Sequence, residues 1–300
     1  MDNWSPSLDF SVVIPAYNEA AAIRSVLERL LSVLGDGSTG GRKFEVLVVD
    51  DGSTDDTYAE VRAVSESIRI LRHPYNLGNG AAIKTGIRNA CGEVLVFMDA
   101  DGQHDPEIIT QMVDACDEYD MVVGARDKKS QAGLHRRLAN VLYNQLASYV
   151  TSRRVMDLTS GFRALRSSVA RMFVGLLPNG YSYPSTITLC VMRAGFSVYY
   201  TPIVAAKRKG KSKIRLFSDG TKFLLVIMKI CMLFSPMKIF LPVSVYLFLM
   251  GLGYYAHTYF SEQRFTNMSM LLFTTAVMVF MMGLVAEQVA QMRSERDSNN

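Results

Sequence analysis

Tryptophan occurs once in the 300 residues, at Trp4, and cysteine only four times. Cys91, Cys116, Cys190 and Cys231 are scattered, with no CxxC pair and no metal-ligand spacing. That excludes a zinc ribbon or a dense disulfide framework and fits reduced thiols in a cytosolic domain. No GxGxxG or Walker stretch follows any apolar run, so dinucleotide binding and ATP hydrolysis are poor readings. No secretory leader is expected: residues 1–9 are polar, contain Asp2 and Asp9, and lack a basic and an apolar region. A further lack is regional. From Leu158 to Ser218 there is no Asp or Glu, whereas ten cations fall there, from Arg163, Arg166, Arg171 and Arg193 to Arg215. Such an excess predicts an anionic partner and a face toward lipid headgroups. No nucleic-acid partner is expected, and self-association stays open.

The first half alternates two periodicities. Short apolar runs at Ser11–Ile14 (ended by Pro15), Phe44–Val49, Ile68–Leu71, Val94–Met98 and Met121–Gly124 read as strands. Between them, Ile23, Val26, Leu27, Leu30, Leu31 and Leu34 mark one helix face. Ser53 or Thr54 is expected to cap a second helix, Asn79–Cys91 makes a third, and Pro106 opens a fourth. Strands apolar on both faces that alternate with helices predict an α/β fold, a mostly parallel sheet covered on both sides. Ligands of such sheets bind beyond the carboxyl ends of the strands. The polar motifs sit at those ends: Tyr17-Asn18-Glu19, Asp50 to Ser53, Asp99 to His104, and Arg126.

After Arg215 the character changes. Residues 216–235 mix large apolar side chains with Lys222 and Lys229, the pattern of a helix lying in a membrane interface. Met237–Phe260 and Met268–Val285 each approach the roughly 20 residues needed to cross a bilayer, with Ser261–Asn267 as a tight connector. Cations crowd the approach to the first run, and Arg293 and Arg296 follow the second. Both flanks are therefore expected in the cytoplasm, with the connector outside. The expected organisation is a catalytic domain over 1–215, interface helices over 216–235, a two-span hairpin over 236–288 and a cytoplasmic polar tail over 289–300. A pair of buried core helices is the bland alternative to the hairpin.

Asp99-Ala100-Asp101-Gly102-Gln103 places two carboxylates and an amide oxygen at one strand end. Hard oxygen ligands of this kind suit Mg²⁺ or Mn²⁺ held together with substrate phosphates. With VVIPAYNEA (Val12–Ala20), VVDDGSTDDT (Val48–Thr57), NLGNGAAIKTGI (Asn76–Ile87), VFMDADGQHDPE (Val96–Glu107), VVGAR (Val122–Arg126) and DLTSGFRALR (Asp157–Arg166), the chain resembles family 2 glycosyltransferases of the GT-A, Rossmann-like fold. Within them it is similar to the dolichol-phosphate mannose synthase branch and its bacterial polyprenyl-phosphate relatives, from about Phe10 to Lys213.

That resemblance implies a set of roles. Pro15, Tyr17 and Glu19 would line a nucleoside pocket, with Val49 and Asp51 beside the base. Asp99 and Ala100 would contact the ribose or diphosphate, while Asp101 and Gln103 would bind the metal. Arg126 and Arg136, with Asn140 one turn later, would face an acceptor phosphate. Lys207, Arg208 and Lys213 would close over the phosphates. Asp50 is read as a turn cap and His104 as orienting a neighbour. Asn76–Gly80 is read as a tight loop near the metal, and Arg163 as an ion-pair partner for Asp157.

The acceptor follows from an absence. An alcohol nucleophile needs a general base, and relatives of that type usually carry a carboxylate within Tyr181–Leu189, where this chain has none. A phosphate monoester is largely dianionic at neutral pH and needs only cationic steering. The expected function is inverting transfer of a hexosyl group from a nucleotide sugar, GDP-mannose or a UDP-sugar, to a polyprenyl or dolichyl phosphate. The alternatives are transfer to a lipid hydroxyl, or an inactive nucleotide-sugar-binding subunit. A processive polysaccharide synthase is excluded because its QxxRW motif needs a tryptophan that the sequence lacks after Trp4. Two runs with uncharged centres exclude a transporter.

Overall fold

The computed structural model describes residues 8–37, 39–126, 134–180, 182–203, 235–264 and 266–298, with Leu225, Met228, Cys231 and Met232. These form two compact units, one up to Phe223 and one from Leu224 onward.

The first unit is built on a seven-stranded sheet. In chain order its strands are β1 (Leu8–Ala16), β2 (Phe44–Asp50), β3 (Arg69–Arg72), β4 (Gly92–Phe97), β5 (Met121–Arg126), β6 (Arg163–Arg166) and β7 (Val198–Ile203). Their spatial order is β3-β2-β1-β4-β6-β5-β7. Only β6 runs antiparallel to its neighbours. Successive side chains of a strand alternate faces, and β1 is apolar on both. Val12 and Ile14 join the core with Ile23, Leu27 and Leu30 of α1 (Ala20–Gly35), Val61 of α2 (Thr57–Val64) and Met112 and Val113 of α4 (Ile109–Ala115). On the other face Val13 lies so close to Gly86 of α3 (Asn79–Asn89) that a Cβ there would sit 2.3 Å from Val13 Cγ1. Further helices are α5 (Leu134–Thr151), α6 (Ser167–Phe173) and α7 (Tyr183–Arg193).

Three expectations change. β1 does not stop at Pro15. Pairing with β2 continues to Ala16↔Asp50, while pairing with β4 ends at Val13↔Phe97. Val13 and Pro15 face the β4 side, so the missing N–H of Pro15 falls where that ladder has ended. Neither Ser53 nor Thr54 caps α2. The cap position is Asp56, and Ser53 instead accepts from Asn18 N at 3.0 Å. β6 and β7 complete the sheet beyond the expected strands. β6 is only four residues long, and β7 lies C-terminal to the turn at Gly195.

The second unit holds α8 (Met237–Glu262) and α9 (Asn267–Ser298). Met237–Ser261 and Asn267–Met292 are long and apolar enough to cross a membrane, with mean hydropathies of 1.7 and 2.1. They pack antiparallel: Phe248 and Phe273 rings lie 5.3 Å apart, and Glu287 accepts a hydrogen bond from Met237 N at 3.1 Å. Only 11% and 17% of the two segments are buried, unlike a pair of core helices.

Candidate active site

Because β6 is reversed, its beginning lies at the edge where β1, β2, β4 and β5 end. All four polar strand ends and the Asp157–Arg163 segment therefore meet there.

The loop after β1 is tied to the loop after β2. Asn18 takes the left-handed conformation (φ 52°) and its Oδ1 accepts from Thr54 N at 2.9 Å. Glu19 N donates to Thr57 Oγ1 at 2.9 Å. Pro15 is buried, whereas Tyr17 and Glu19 stay part-exposed at the edge. Asp50 does cap its turn, accepting from Ser53 N at 2.9 Å, and pairs with Arg72 Nε at 3.0 Å. Val49 and Asp51 sit at the same strand end, set into the sheet and the loop beneath it. Val49 is wholly buried within β2, and Asp51 is 2% exposed. The Asp51 carboxylate is taken up by His73 Nδ1 (2.7 Å), Leu77 N (2.9 Å) and Gly78 N (2.8 Å). It is the latch of the Asn76–Gly80 loop. Gly52 makes room beneath: at φ +69°, a Cβ on it would meet Tyr75 C at 2.4 Å.

At the end of β4, Asp99 and Asp101 are part-exposed and Ala100 is buried. Asp101 Oδ1 accepts from Gln103 N at 3.1 Å, folding the turn back on itself through Gly102. His104 accepts a hydrogen bond from Asp99 N through Nδ1 at 3.1 Å and stacks on Phe162, centroids 4.8 Å apart. Burial, with Arg126 adding to it against Asp101, pushes the His104 pKa down to about 4. A neutral ring that accepts from a backbone N–H through Nδ1 orients the Asp99 turn and carries no charge at neutral pH. Among the described residues there is no cluster of three or more His, Cys, Asp and Glu fit for a metal. Two part-exposed carboxylates of one turn do fit a hard cation whose other ligands come from a diphosphate and water.

The opposite wall is the turn before β6. A Cβ on Gly161 would lie 2.9 Å from Asp99 Oδ2, so only glycine lets this backbone come so near the carboxylate. Arg126 is gripped bidentately by Asp157, Nε to Oδ2 at 2.9 Å and Nη2 to Oδ1 at 3.0 Å, and Nη2 also donates to Thr159 Oγ1 at 2.7 Å. Burial would lower the Arg126 pKa, but the bonds to Asp157 and the nearby Asp99 charge raise it. Its side chain keeps 30% of its surface open. The expected Arg163–Asp157 pair is not formed. Arg163 is fully buried and donates to Ser160 O, to Pro184 O at 2.8 Å and to Thr188 Oγ1 at 3.0 Å. It ties this wall to α7. The clamp between Arg126 and Asp157 escapes sequence reasoning because the two stand 31 residues apart; only their position at adjacent strand ends signals it.

Arg136 and Asn140 lie one turn apart at the start of α5, with side chains outside the described residues. Lys207, Arg208 and Lys213 are outside them too, following β7, whose last residue Ile203 is at the same edge.

Residues 11–173 match the model of glycosyl transferase family 2, and residues 235–292 match the model described as GtrB C-terminal hairpin. An undecaprenyl-phosphate 4-deoxy-4-formamido-L-arabinose transferase of Klebsiella pneumoniae is 29% identical, over 71% of this chain and 64% of its own. A dolichol-phosphate mannosyltransferase of Pyrococcus furiosus is 30% identical, over 68% and 59%. A dodecaprenyl-phosphate galacturonate synthase of Rhizobium johnstonii is 29% identical, over 55% and 50%. The chain thus spans less than two thirds of these relatives. Among solved structures, glucosyl-3-phosphoglycerate synthase of Mycobacterium tuberculosis, in complex with Mn²⁺, UDP and phosphoglyceric acid, superposes with a TM-score of 0.61 at 21% identity, covering 75% of this chain and 79% of that one, a likeness of fold. The match across 11–173 takes in the ends of β1, β2, β4 and β5 and the start of β6, and the chain belongs to glycosyl transferase family 2.

Proposed function

We propose that the protein is a membrane-bound transferase that moves a glycosyl group from a nucleotide sugar to the phosphate of a polyprenyl lipid, with inversion at the anomeric carbon. The observation that carries this reading is the Arg126 clamp. One part-exposed guanidinium stands beside Asp99, in a wall whose single carboxylate from 128 to 218, Asp157, is itself buried and gripped. Such a wall can steer a phosphate but offers no base to an alcohol. The names of the relatives, each with a polyprenyl or dolichol phosphate as acceptor, support the same class.

Tyr17 and Glu19 would flank the nucleoside, and Asp99 would face the ribose or diphosphate. Asp101 and Gln103 would hold Mg²⁺ or Mn²⁺, which when bound neutralises charge on the departing diphosphate. A non-bridging oxygen of the lipid phosphate attacks the anomeric carbon from the face opposite the leaving group. The bond from that carbon to the nucleoside diphosphate breaks, its electron pair stays on the diphosphate, and no proton moves. Arg126 orients the attacking phosphate, assisted by Arg136, Asn140 and cations of the Lys207–Lys213 run. The catalytic unit and the tail over 289–300 would lie on the cytoplasmic face, with Ser261–Asn267 outside.

The test is full-length protein given a panel of nucleotide sugars with polyprenyl phosphate or free polyprenol, followed by mass spectrometry of the lipid product. A phosphate-linked sugar formed only with the phosphorylated lipid is expected. Equal glycosylation of the free alcohol would sink the base-free mechanism.

A further inference from the structure

α5 and the segment after it carry a charge asymmetry of which the transfer reaction uses only Arg136. From Lys128 to Met156 there is no Asp or Glu, against Lys128, Lys129, Arg136, Arg137, Arg153 and Arg154. The helix turns Ala147 and Val150 inward, 0% and 2% exposed. Its outer side presents Val141 at 45% and Tyr149 at 53% exposure. Eight residues apart, they share one stripe about 12 Å long. The chain then doubles back along that stripe. Val155 N donates to Ser148 Oγ at 2.9 Å, and Asn144 Nδ2 donates to Met156 O at 2.8 Å. Met156, 52% exposed, is thereby set level with Asn144, and Arg153 and Arg154 are exposed at the turn. One amino group of Arg153 holds Phe196 O at 2.8 Å, which fixes the direction of the turn.

Exposed apolar side chains scattered singly are ordinary on soluble proteins. Here Val141 and Tyr149 on α5 and Met156 in the segment laid beside Asn144 are all exposed, with Arg153 and Arg154 at the intervening turn, in a stretch without one carboxylate. Tyrosine settles at the boundary of headgroups and acyl chains, methionine adds apolar surface to bury, and arginine binds lipid phosphates there. We propose that the outer face of α5, with residues 152–156, is a docking surface for an anionic lipid bilayer. The proposal deepens the reading of the chain as a membrane-bound transferase and rests on it. Met156 directly precedes Asp157, the clamp on Arg126, so a lipid phosphate reaching Arg126 would come from this surface.

Full-length protein with Trp4→Phe and Tyr149→Trp, reconstituted in membranes of phosphatidylcholine with phosphatidylglycerol, tests this. With brominated acyl chains the emission of the introduced indole should fall by about half, and Met156→Trp in place of Tyr149→Trp should behave alike. A Tyr58→Trp control on α2 should keep its emission. Replacing Arg153 and Arg154 by Gln should restore much of the lost emission. Three results would overturn the proposal: no quenching with full access to acrylamide, equal quenching in phosphatidylcholine alone, and protection from both bromine and acrylamide, which marks a second protein copy. No turnover enters this readout, so failure of the docking surface and failure of the transfer reading are told apart. A Tyr246→Trp probe on α8 reports separately whether the hairpin is in the bilayer.

Discussion

Arg126 and Asp157 meet fork to fork across the site edge, 2.9 and 3.0 Å apart at their two contacts, though they belong to opposite ends of a long excursion of the chain. Charge-assisted bonds of this kind contribute roughly 1.5–3 kcal/mol each. Asp157→Asn keeps the shape but loses the charge, so Arg126 should swing free. Acceptor kcat/KM should then fall about ten- to a hundredfold, with donor affinity, measured by calorimetry without acceptor, nearly unchanged. An equal loss in both would show that the clamp serves the donor.

Asp101→Ala should abolish divalent-stimulated turnover and leave the thermal midpoint close to that of the parent, because the side chain is part-exposed at a loop. Titration of the nucleoside diphosphate with and without Mn²⁺ checks this. Retained activity at limiting Mn²⁺ would remove Asp101 from the metal site.

Gly161→Ala puts a methyl group 2.9 Å from Asp99 Oδ2 and should push that carboxylate out of position. Diphosphate affinity should drop more than about tenfold while stability changes by about 1 kcal/mol. Unchanged affinity would mean that Asp99 has room the structure does not suggest.

Acid should weaken the fold at a place remote from chemistry. Glu45 is nearly buried; burial alone would raise its pKa, but bonds from Cys91 N, Ser11 Oγ and Arg69 outweigh this and lower it. A carboxylate depressed in the folded state gives stability that is present above its unfolded pKa and is lost as pH falls through the folded one. Denaturation by urea should therefore become easier below about pH 4.5, and Glu45→Gln should flatten that slope. An unaltered slope would assign acid sensitivity to other groups.

Glu262→Cys and a cysteine at Ser294 should label oppositely with an impermeant reagent in intact cells, Glu262→Cys alone reacting. The reverse pattern would invert the topology.

Much of this architecture was legible. β1, β2, β4 and β5 announce themselves as apolar runs, and the polar motifs that end them stand together as expected. What could not be read was contact between separate loops. Nothing in the string Asp50-Asp51-Gly52 tells that the two oxygens of Asp51 latch His73, Leu77 and Gly78. Asp157 and Arg163 look like a pair within one motif, yet extended backbone at β6 carries Arg163 into the core and leaves Asp157 to Arg126. β6 itself is hard to see because four residues give too little alternation to distinguish a strand from a turn.

The reversed β6 has a consequence for the order in which the protein can assemble. In the sheet β5 touches only β6 and β7, both made after it. As the chain leaves the ribosome, β1 to β4 can pair at once, but β5 must wait through α5 for its first neighbour. Such non-local closure is slow relative to pairing of adjacent strands. The half of the sheet built on β1 to β4 should thus mature early, and the half that holds Arg126 late. A nascent chain stalled soon after β5 is then the species most in need of a chaperone, with an apolar strand and no partner to receive it.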